Sequence, residues 1–497
     1  NSQLPGVFEY KDTSLTDARS IADAFASFFE SVYTMERNDD PEDDVESDLV
    51  LSKLHLTQLH ESEILEAIKK LKPRSAIGED GIPPYIVKGC ASLLVTPLQH
   101  LFNLALQTCT FPEAWKCTRI TPIHKSGSRK LVENYRPIAI IPAIAKIFER
   151  VIYTRLYSHL SSIIADQQHG FTRNRSTITN LMQFTHFSAG ALDERAQVDC
   201  VYTDFAKAFD TVSHQVLLRK LVLNCVSNPT VKFLKSYLSL RKTRVKFNGV
   251  NSAEFYPSSG VPQGTLLGPF LFLLYINDLP RVIKNSKALL FADDLKLFNK
   301  VQSPSDCLNI QEDINSVIKW CIKNKLKLNI NKCKVLTFTR SKNPLLFDYK
   351  MNGKVLLRVT SVKDLGVFFN TNLNFNLHIE YLTNECYKLL GFVIRNTLNF
   401  TNIQTMITLY NAFIRSKLEY AACIWSPQTL KYSDMIEKVQ KKFFRVMFFR
   451  TTHNYPHLIS YGTQLNYLNS IFGLKITALN RNPMVHRIHN FCFQNFT

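Results

Sequence analysis

No CxxC pair occurs in this 497-residue chain, although it holds eleven cysteines scattered from Cys90 to Cys492. An odd, dispersed set of thiols excludes the disulfide framework of a small secreted scaffold and fits reduced thiols in the cytosol or nucleus. His453/His457 and His486/His489/Cys492 have loose metal-ligand spacing. Pro456 interrupts the helix the first pair would need, and no cysteine pair completes the second, so a zinc site is not expected. No apolar run approaches the roughly 18 residues that span a bilayer; the longest, Pro269 to Ile276, is far too short. No signal peptide is recognisable, and the chain opens on Asn1 rather than Met, so we read it as a fragment or a processed piece. Acid is also scarce: 41 Asp and Glu stand against 60 Lys and Arg, a net charge of +19. An excess of that size points to a polyanionic partner, nucleic acid before an anionic membrane.

What is present is enough for a large fold. Hydrophobic residues make up 45% of the chain, which excludes a disordered protein. At roughly 100–200 residues per domain, the length allows two to four units or one multi-lobed enzyme. Residues 14–34 put Ile21, Ala24, Phe25, Phe28, Phe29, Val32 and Tyr33 on one helical face. The acidic run Glu36 to Asp48, broken by Pro41, reads as a solvated linker. A helix over 61–71 leads into the loop RSAIGEDGIPP. Two β-prone runs, TRITPIHKSGS and ENYRPIAIIP, precede a helix that starts after Pro142. Residues 198–205 read as a buried strand and 287–298 as a hairpin with ADD at its tip. Residues 307–325 are amphipathic, with Leu308, Ile310, Ile314, Val317, Ile318, Cys321 and Ile322 at helical spacing. Beyond about 375 the pattern is helical.

Two segments carry candidate chemistry. TDFAKAFD puts Asp204 at the end of a buried strand, and FADD puts Asp293 and Asp294 at a hairpin tip between apolar arms. A carboxylate beside apolar residues is costly unless solvated, paired or bound to a metal, and a divalent cation relieves the repulsion between adjacent Asp side chains. Phosphoryl transfer uses such a set: two Mg²⁺ about 3.5–4 Å apart activate a 3′-hydroxyl and steady the leaving pyrophosphate, and hard carboxylate oxygens hold them. Alone, Asp-Asp at a β-turn is ordinary turn chemistry. Asp210 reads in the same way as a cap for the helix after it.

Several blocks in order resemble the reverse transcriptases of non-LTR retrotransposons, and among them the jockey-like mobile elements of insects. WKCTRITPIHKSG with NYRPIAIIPAIAKIFERVI is similar to the fingers, and QQHGFTRNRSTITNL to the fingers–palm junction. VYTDFAKAFDTVSH and GVPQGTLLGPFLFLLYINDL resemble the first palm motifs, and FADD the catalytic hairpin. LKLNINKCKVLTF and SVKDLGVFF resemble the closing palm motifs. FIRSKLEYAACIWSP resembles the C-terminal stretch. The match covers roughly residues 14 to 440. It implies an α+β right-hand polymerase: an N-terminal extension and linker over 1–60, fingers over 61–185, an antiparallel palm over 186–374 and a helical thumb over 375–497. The reverse transcriptase domain as a whole would run from about 106 to 370.

The resemblance also implies roles. Asp204, Asp293 and Asp294 would hold two Mg²⁺, with Mn²⁺ as an alternative, joined by the backbone carbonyl of Phe205. Phe209 would stand at the steric gate that crowds a 2′-hydroxyl. Pro262, Gln263 and Gly264 would pack beneath the incoming base and template, with the Gln amide free to bond a nucleotide. Lys125 and Arg136 would clasp the triphosphate, Lys332 would serve as general acid, and the turn around Leu365 and Gly366 would grip the primer. The partners would be an RNA template, a DNA primer and dNTPs, without a membrane. The location would be intracellular, cytoplasmic as a ribonucleoprotein and nuclear during target-primed synthesis. Basic stretches at 232–246, 319–334 (where Trp320 could stack) and 438–450 fit a backbone-tracking groove. Their ordinary alternative is a solvated face with its aromatics in the core.

Some features depart from the family. Phe291 stands where Tyr is frequent, and Ala76-Ile77-Gly78 replaces a Pro-Gly turn, which we expect to weaken template contacts. No endonuclease or ribonuclease H block is recognised. The rival readings are a non-catalytic nucleic-acid-binding remnant and another polymerase of the same fold, such as an intron-encoded enzyme or telomerase.

Overall fold

A computed structural model describes residues 5–34, 54–56, 58–400 and 402–452. The acidic run Glu36 to Asp48 and the histidine groups beyond His453 lie outside the described residues. The helices that matter below are α1 (Ala18–Val32), α2 (Glu61–Lys69), α3 (Ala91–Gln107), α4 (Ala143–Leu160), α5 (Thr177–Asp193), α6 (His214–Leu223), α7 (Leu267–Ile276), α8 (Pro304–Lys323), α9 (Asn376–Asn396) and α10 (Leu430–Thr452). The strands are β1 (Thr118–His124), β2 (Tyr135–Ile140), β3 (Gln197–Thr203), β4 (Thr243–Phe247), β5 (Val250–Asn251), β6 (Lys287–Phe291), β7 (Asp294–Val301), β8 (Lys334–Phe338), β9 (Leu357–Val359), β10 (Ser361–Asp364) and β11 (Val367–Asn370).

A five-stranded sheet in the order β9-β8-β3-β7-β6 forms the centre of the protein. Its period-2 alternation sends side chains to two separate cores. Val201, Leu290, Leu295, Leu297 and Val335 face a layer that includes α4, α6, α7 and α8. Val198, Cys200, Leu289, Phe298, Leu336 and Phe338 face α5 and the C-terminal helices. Both faces are therefore covered, so β3 is buried almost throughout, its polar members included: Asp199 accepts from the hydroxyls of Thr337 and Tyr349 at 2.8 Å each. Helix α7 is apolar on every side and correspondingly buried. The sheet is mixed: the pairs through β8, β3, β7 and β6 are antiparallel, but β8 and β9 run parallel. The expected all-antiparallel sheet is corrected there, because β8 reaches β9 through an intervening excursion, residues 339–356, long enough for a crossover.

A second sheet has the order β2-β1-β4-β5, so residues 243–251 pair with strands more than a hundred residues upstream. Helix α1, capped by Asp17 accepting from the Ser20 N–H at 2.9 Å, lies on this sheet through Ile21, Phe25 and Phe29. The amphipathic reading of 307–325 holds for Ile310, Ile314, Val317 and Cys321, but Leu308 and Ile322 are exposed. They flank the stripe that faces the sheet. The ten cysteines among the described residues are all free.

The first core is anchored by an aromatic stack, Phe148 on Phe102 at 4.3 Å with Phe111 beyond at 5.8 Å. Phe148 is fully buried. We expect Phe148→Ala to cost about 3–5 kcal/mol of unfolding free energy, read from the urea midpoint. An unchanged midpoint would show that this stack is not part of the folded core.

Candidate active site

The register of the central strands brings the three sequence-predicted carboxylates together. The β3–β7 ladder ends with Thr203 opposite Leu295, so the next step sets Asp204 against Asp294. The β6–β7 hairpin closes with Phe291 paired to Asp294, leaving Ala292 and Asp293 as the turn. Ala292 has φ of 55°, a left-handed conformation that costs an alanine about 1–2 kcal/mol. The segment after Asp204 is fixed from below. Its backbone carbonyl accepts from Asn329 N–H at 2.7 Å, and Ala206 N–H donates to the Lys327 carbonyl at 2.8 Å.

The electrostatics are those of crowded like charges. Desolvation raises Asp293, and Asp204 raises it further, while Lys125 and Arg136 pull it down. Asp294 is pushed up to about 6, by its low-dielectric surroundings first and then by Asp293, Asp364 and Asp204. Asp294 is nevertheless exposed at its surface, so a cation could reach it. The donor set is all hard oxygen, which fits Mg²⁺ rather than a soft metal. Among the described residues no three His, Cys, Asp or Glu side chains are gathered tightly enough to hold an ion as they stand. Lys332 pairs with the set, its Nζ 3.6 Å from Asp204 Oδ2.

The hairpin tip is held by a residue the sequence reasoning passed over. Gln168 is buried, and its Oε1 accepts from the N–H groups of both Gly170 and Ala292, at 2.8 and 2.9 Å. Gly170 is needed there, because a Cβ would stand 2.3 Å from the Ala292 nitrogen. His169 N–H and the Asn180 amide both donate to the Leu290 carbonyl. A buried glutamine two residues before a glycine, inside the quoted block QQHGF, was the available signal.

Phe209 is half-buried and stacks on Phe272 at 4.3 Å, with Phe171 edge-on at 6.4 Å. Its carbonyl accepts from Val261 N–H at 2.8 Å, which ties it to the Pro262–Gly264 loop. The expectation for Asp210 is corrected: helix α6 is capped by Ser213, whose Oγ accepts from Val216 N–H. Asp210 is instead buried and accepts from Gln263 Nε2 at 2.7 Å. One Gln263 amide N–H is thus engaged within the protein, which leaves its second N–H and its oxygen for a ligand. Burial drives Asp210 up to about 6, with Gln263, Lys207 and Lys125 opposing. Gly264, at φ of 96°, lies against Ala139 and Ile138 of β2, and Ala139 N–H donates to the Gln263 carbonyl at 2.7 Å. From the other side, buried Glu149 accepts from Leu266 N–H and from the Tyr237 hydroxyl.

Lys125 and Arg136 lie on the two arms of the β1–β2 hairpin, both exposed and both acting on Asp293. The turn Leu365-Gly366 joins β10 to β11, and the Leu365 carbonyl accepts from the Tyr420 hydroxyl at 2.7 Å. Two of the basic stretches are less free than their composition suggested. In 232–246, Arg241 is buried and donates to the Tyr237 carbonyl, while Lys242 and Arg244 both pair with Glu254. In 438–450, Phe443, Phe444 and Phe448 are buried, whereas Phe449 is exposed. Trp320 is also a correction, because it is buried beneath Lys220, whose Nζ stands 4.8 Å from the ring, and offers no open stacking face.

The central strand and its adjacent hairpin thus present three carboxylates, with Lys125 and Arg136 of the β1–β2 hairpin near enough to act on Asp293. The family model for reverse transcriptase (RNA-dependent DNA polymerase) matches residues 123–394, more than half of the chain. The chain belongs to that family, and the resemblance to the reverse transcriptases of non-LTR retrotransposons is borne out. It is 30% identical over 392 residues to a probable RNA-directed DNA polymerase from transposon BS of Drosophila melanogaster, covering 74% of this chain and 42% of that protein. It is 27% identical to the RNA-directed DNA polymerase from mobile element jockey of Drosophila funebris, covering 77% and 43%. Identity to the probable polymerase from transposon X-element of Drosophila melanogaster is 25%, covering 86% and 48%. The chain thus spans less than half the length of these relatives.

Two outcomes follow from the geometry. Gln168→Leu strands the Gly170 and Ala292 N–H groups, so we expect a loss of about 1–3 kcal/mol, measured by denaturant unfolding; wild-type stability would mean that the tip is held by other contacts. Asp210 has its folded pKa raised above the unfolded value of 3.8 to about 6. Its contribution is therefore fully present below about pH 4 and is lost as pH rises through 6. Asp210→Asn should melt higher than wild type at pH 7, by the equivalent of about 1–3 kcal/mol, with the gap closing towards pH 4. A gap independent of pH would contradict a buried, ionising Asp210.

Proposed function

We propose that this chain is the polymerase portion of a non-LTR retrotransposon protein, an RNA-directed DNA polymerase that extends a DNA primer on an RNA template. The observation that carries the reading is the β3–β7 register, which sets Asp204 beside the Asp293-Asp294 hairpin, in a chain of this family. On this reading the five-stranded sheet is the palm, the four-stranded sheet with α2, α3 and α4 belongs to the fingers, and α9 and α10 belong to the thumb.

Asp204, Asp293 and Asp294, with the Phe205 carbonyl, would hold two Mg²⁺. When bound, these would activate the primer 3′-hydroxyl and steady the leaving pyrophosphate. The chain's own side chains account for the rest. Lys125 and Arg136, on adjacent arms of one hairpin, reach the triphosphate and offset its charge. Phe209 cannot retreat from a 2′-hydroxyl, because Phe272 is stacked behind it at 4.3 Å, so deoxyribose is selected. Asp210 holds Gln263, and Gln263 with Gly264 forms a floor against β2 beneath the base. Lys332, 3.6 Å from Asp204, would give a proton to the pyrophosphate.

Primer extension on an RNA template with dNTPs and Mg²⁺ tests this. Wild type should extend, Asp293→Ala should fall by at least about a thousandfold as a metal ligand is lost, and Phe209→Ala should gain ribonucleotide incorporation. A wild-type chain that binds primer–template yet never extends it would instead be a nucleic-acid-binding remnant.

A further inference from the structure

The carboxylate site leaves most of the chain's positive charge unexplained. On the outer side of the helical layer beneath the central sheet, a concavity of about 620 Å³ lies between α6, the short turn 279–282 and α8. Arg219, Arg281, Lys319 and Lys323 line it and are all exposed. Among the described residues, none of the four side chains makes a hydrogen bond or an ion pair. The acid that lines it, Asp278, is already matched by buried Lys220 at 2.7 Å. Lys220 also donates to the Tyr275 carbonyl and lies over the Trp320 ring, so the floor is rigid. The wall includes Trp320, whose indole N–H has no partner.

Lys319 also lines a second concavity of about 720 Å³ beside α8, with Gln311, Asn315, Lys350 and the acid Asp348. Lys319 and Lys323 are four residues apart on one helix face, so their Cβ atoms are about 6 Å apart. That spacing is comparable to the step between successive phosphates of a strand. None of these residues is shared with, or hydrogen-bonded to, the carboxylate site.

We propose that the groove along α8 is a second nucleic-acid contact, which takes the sugar–phosphate backbone of single-stranded RNA outside the polymerase cleft. Four cations without a partner around one concavity suit a polyanion, and a site with several charges favours a strand that spans them over an isolated phosphate. That the strand is RNA rests on the reading above, in which the unpaired template is RNA.

The test measures binding of a labelled single-stranded RNA to the full chain by fluorescence anisotropy, as salt is raised from about 50 to about 200 mM. The variant combines Arg219→Gln, Arg281→Gln, Lys319→Gln and Lys323→Gln. A control removes equal charge from exposed positions elsewhere, with Lys11→Gln, Lys72→Gln, Lys130→Gln and Lys342→Gln. The groove variant should bind at least about tenfold more weakly than the control, and its log–log salt slope should flatten by up to about 3, roughly 0.7 for each lost phosphate contact. An unchanged melting temperature confirms the fold. Equal losses in the two variants would overturn the proposal, as would a loss seen with single-stranded DNA but not RNA. Competition by polyglutamate as effective as by RNA at equal charge would also overturn it, assigning the groove to an acidic protein. Primer extension is scored separately. An inactive chain that keeps the difference between variant and control loses the polymerase reading alone, and an active chain without that difference loses only the groove.

Discussion

Three carboxylates that repel one another are held at one end of a sheet, and much of the protein exists to keep them there. The β3–β7 pairing sets Asp204 against Asp294, an arrangement of like charges that on its own weakens a sheet. The strands tolerate it because they are buried on both faces, so their register is specified by two cores at once. A one-residue slip would exchange every side chain between those cores. The frustration stays local, in the raised Asp293 and Asp294, and is not relieved by fraying.

The same logic explains why backbone groups around the tip are so thoroughly claimed. Gln168 closes on Ala292, Asn180 and His169 close on Leu290, and Asn329 closes on the Asp204 carbonyl. Each bond is modest, about 1 kcal/mol net, but together they leave the carboxylates little freedom to separate. On the other face, the buried Lys296–Asp364 pair at 2.5 Å ties β7 to the β10–β11 hairpin. Breaking one partner would leave an uncompensated buried charge, so the β10–β11 hairpin and the carboxylate strand are coupled.

Much of this was legible in the sequence where local pattern and local structure agree. The β-prone run before Asp204 and the apolar arms around FADD pointed to β3 and the hairpin, because a buried strand and a tight turn have local signatures. What failed were statements about partners distant in sequence. Asp210 looked like a helix cap because Ser213 and Asp210 are both plausible caps. Only the fold brings Gln263 to it. Trp320 looked available because it sits among lysines, yet it falls on the inward stripe of α8, which the neighbouring Lys319 and Lys323 do not. The parallel β8–β9 pair and the return of residues 243–251 to the second sheet depend on chain excursions that periodicity does not encode.

The remaining question is how so basic a chain reconciles a negative centre with a polyanionic ligand. Lys125, Arg136 and Lys332 surround the three carboxylates, and Lys207 stands beside Asp210 with its own pKa lowered by burial and by Lys125 and Lys332. That cationic rim attracts phosphates, but it does not cancel the carboxylates, since Asp294 still titrates near 6. A phosphate drawn in by the rim would meet a second negative surface at the sheet end. Lysine and arginine cannot bridge that gap well, because each is a single charge on a long, tethered arm, whereas a compact divalent ion can sit between two oxygens of opposite origin. On the proposed reading the rim would supply attraction and orientation, and the carboxylates would keep their charge for the divalent ions of the reaction.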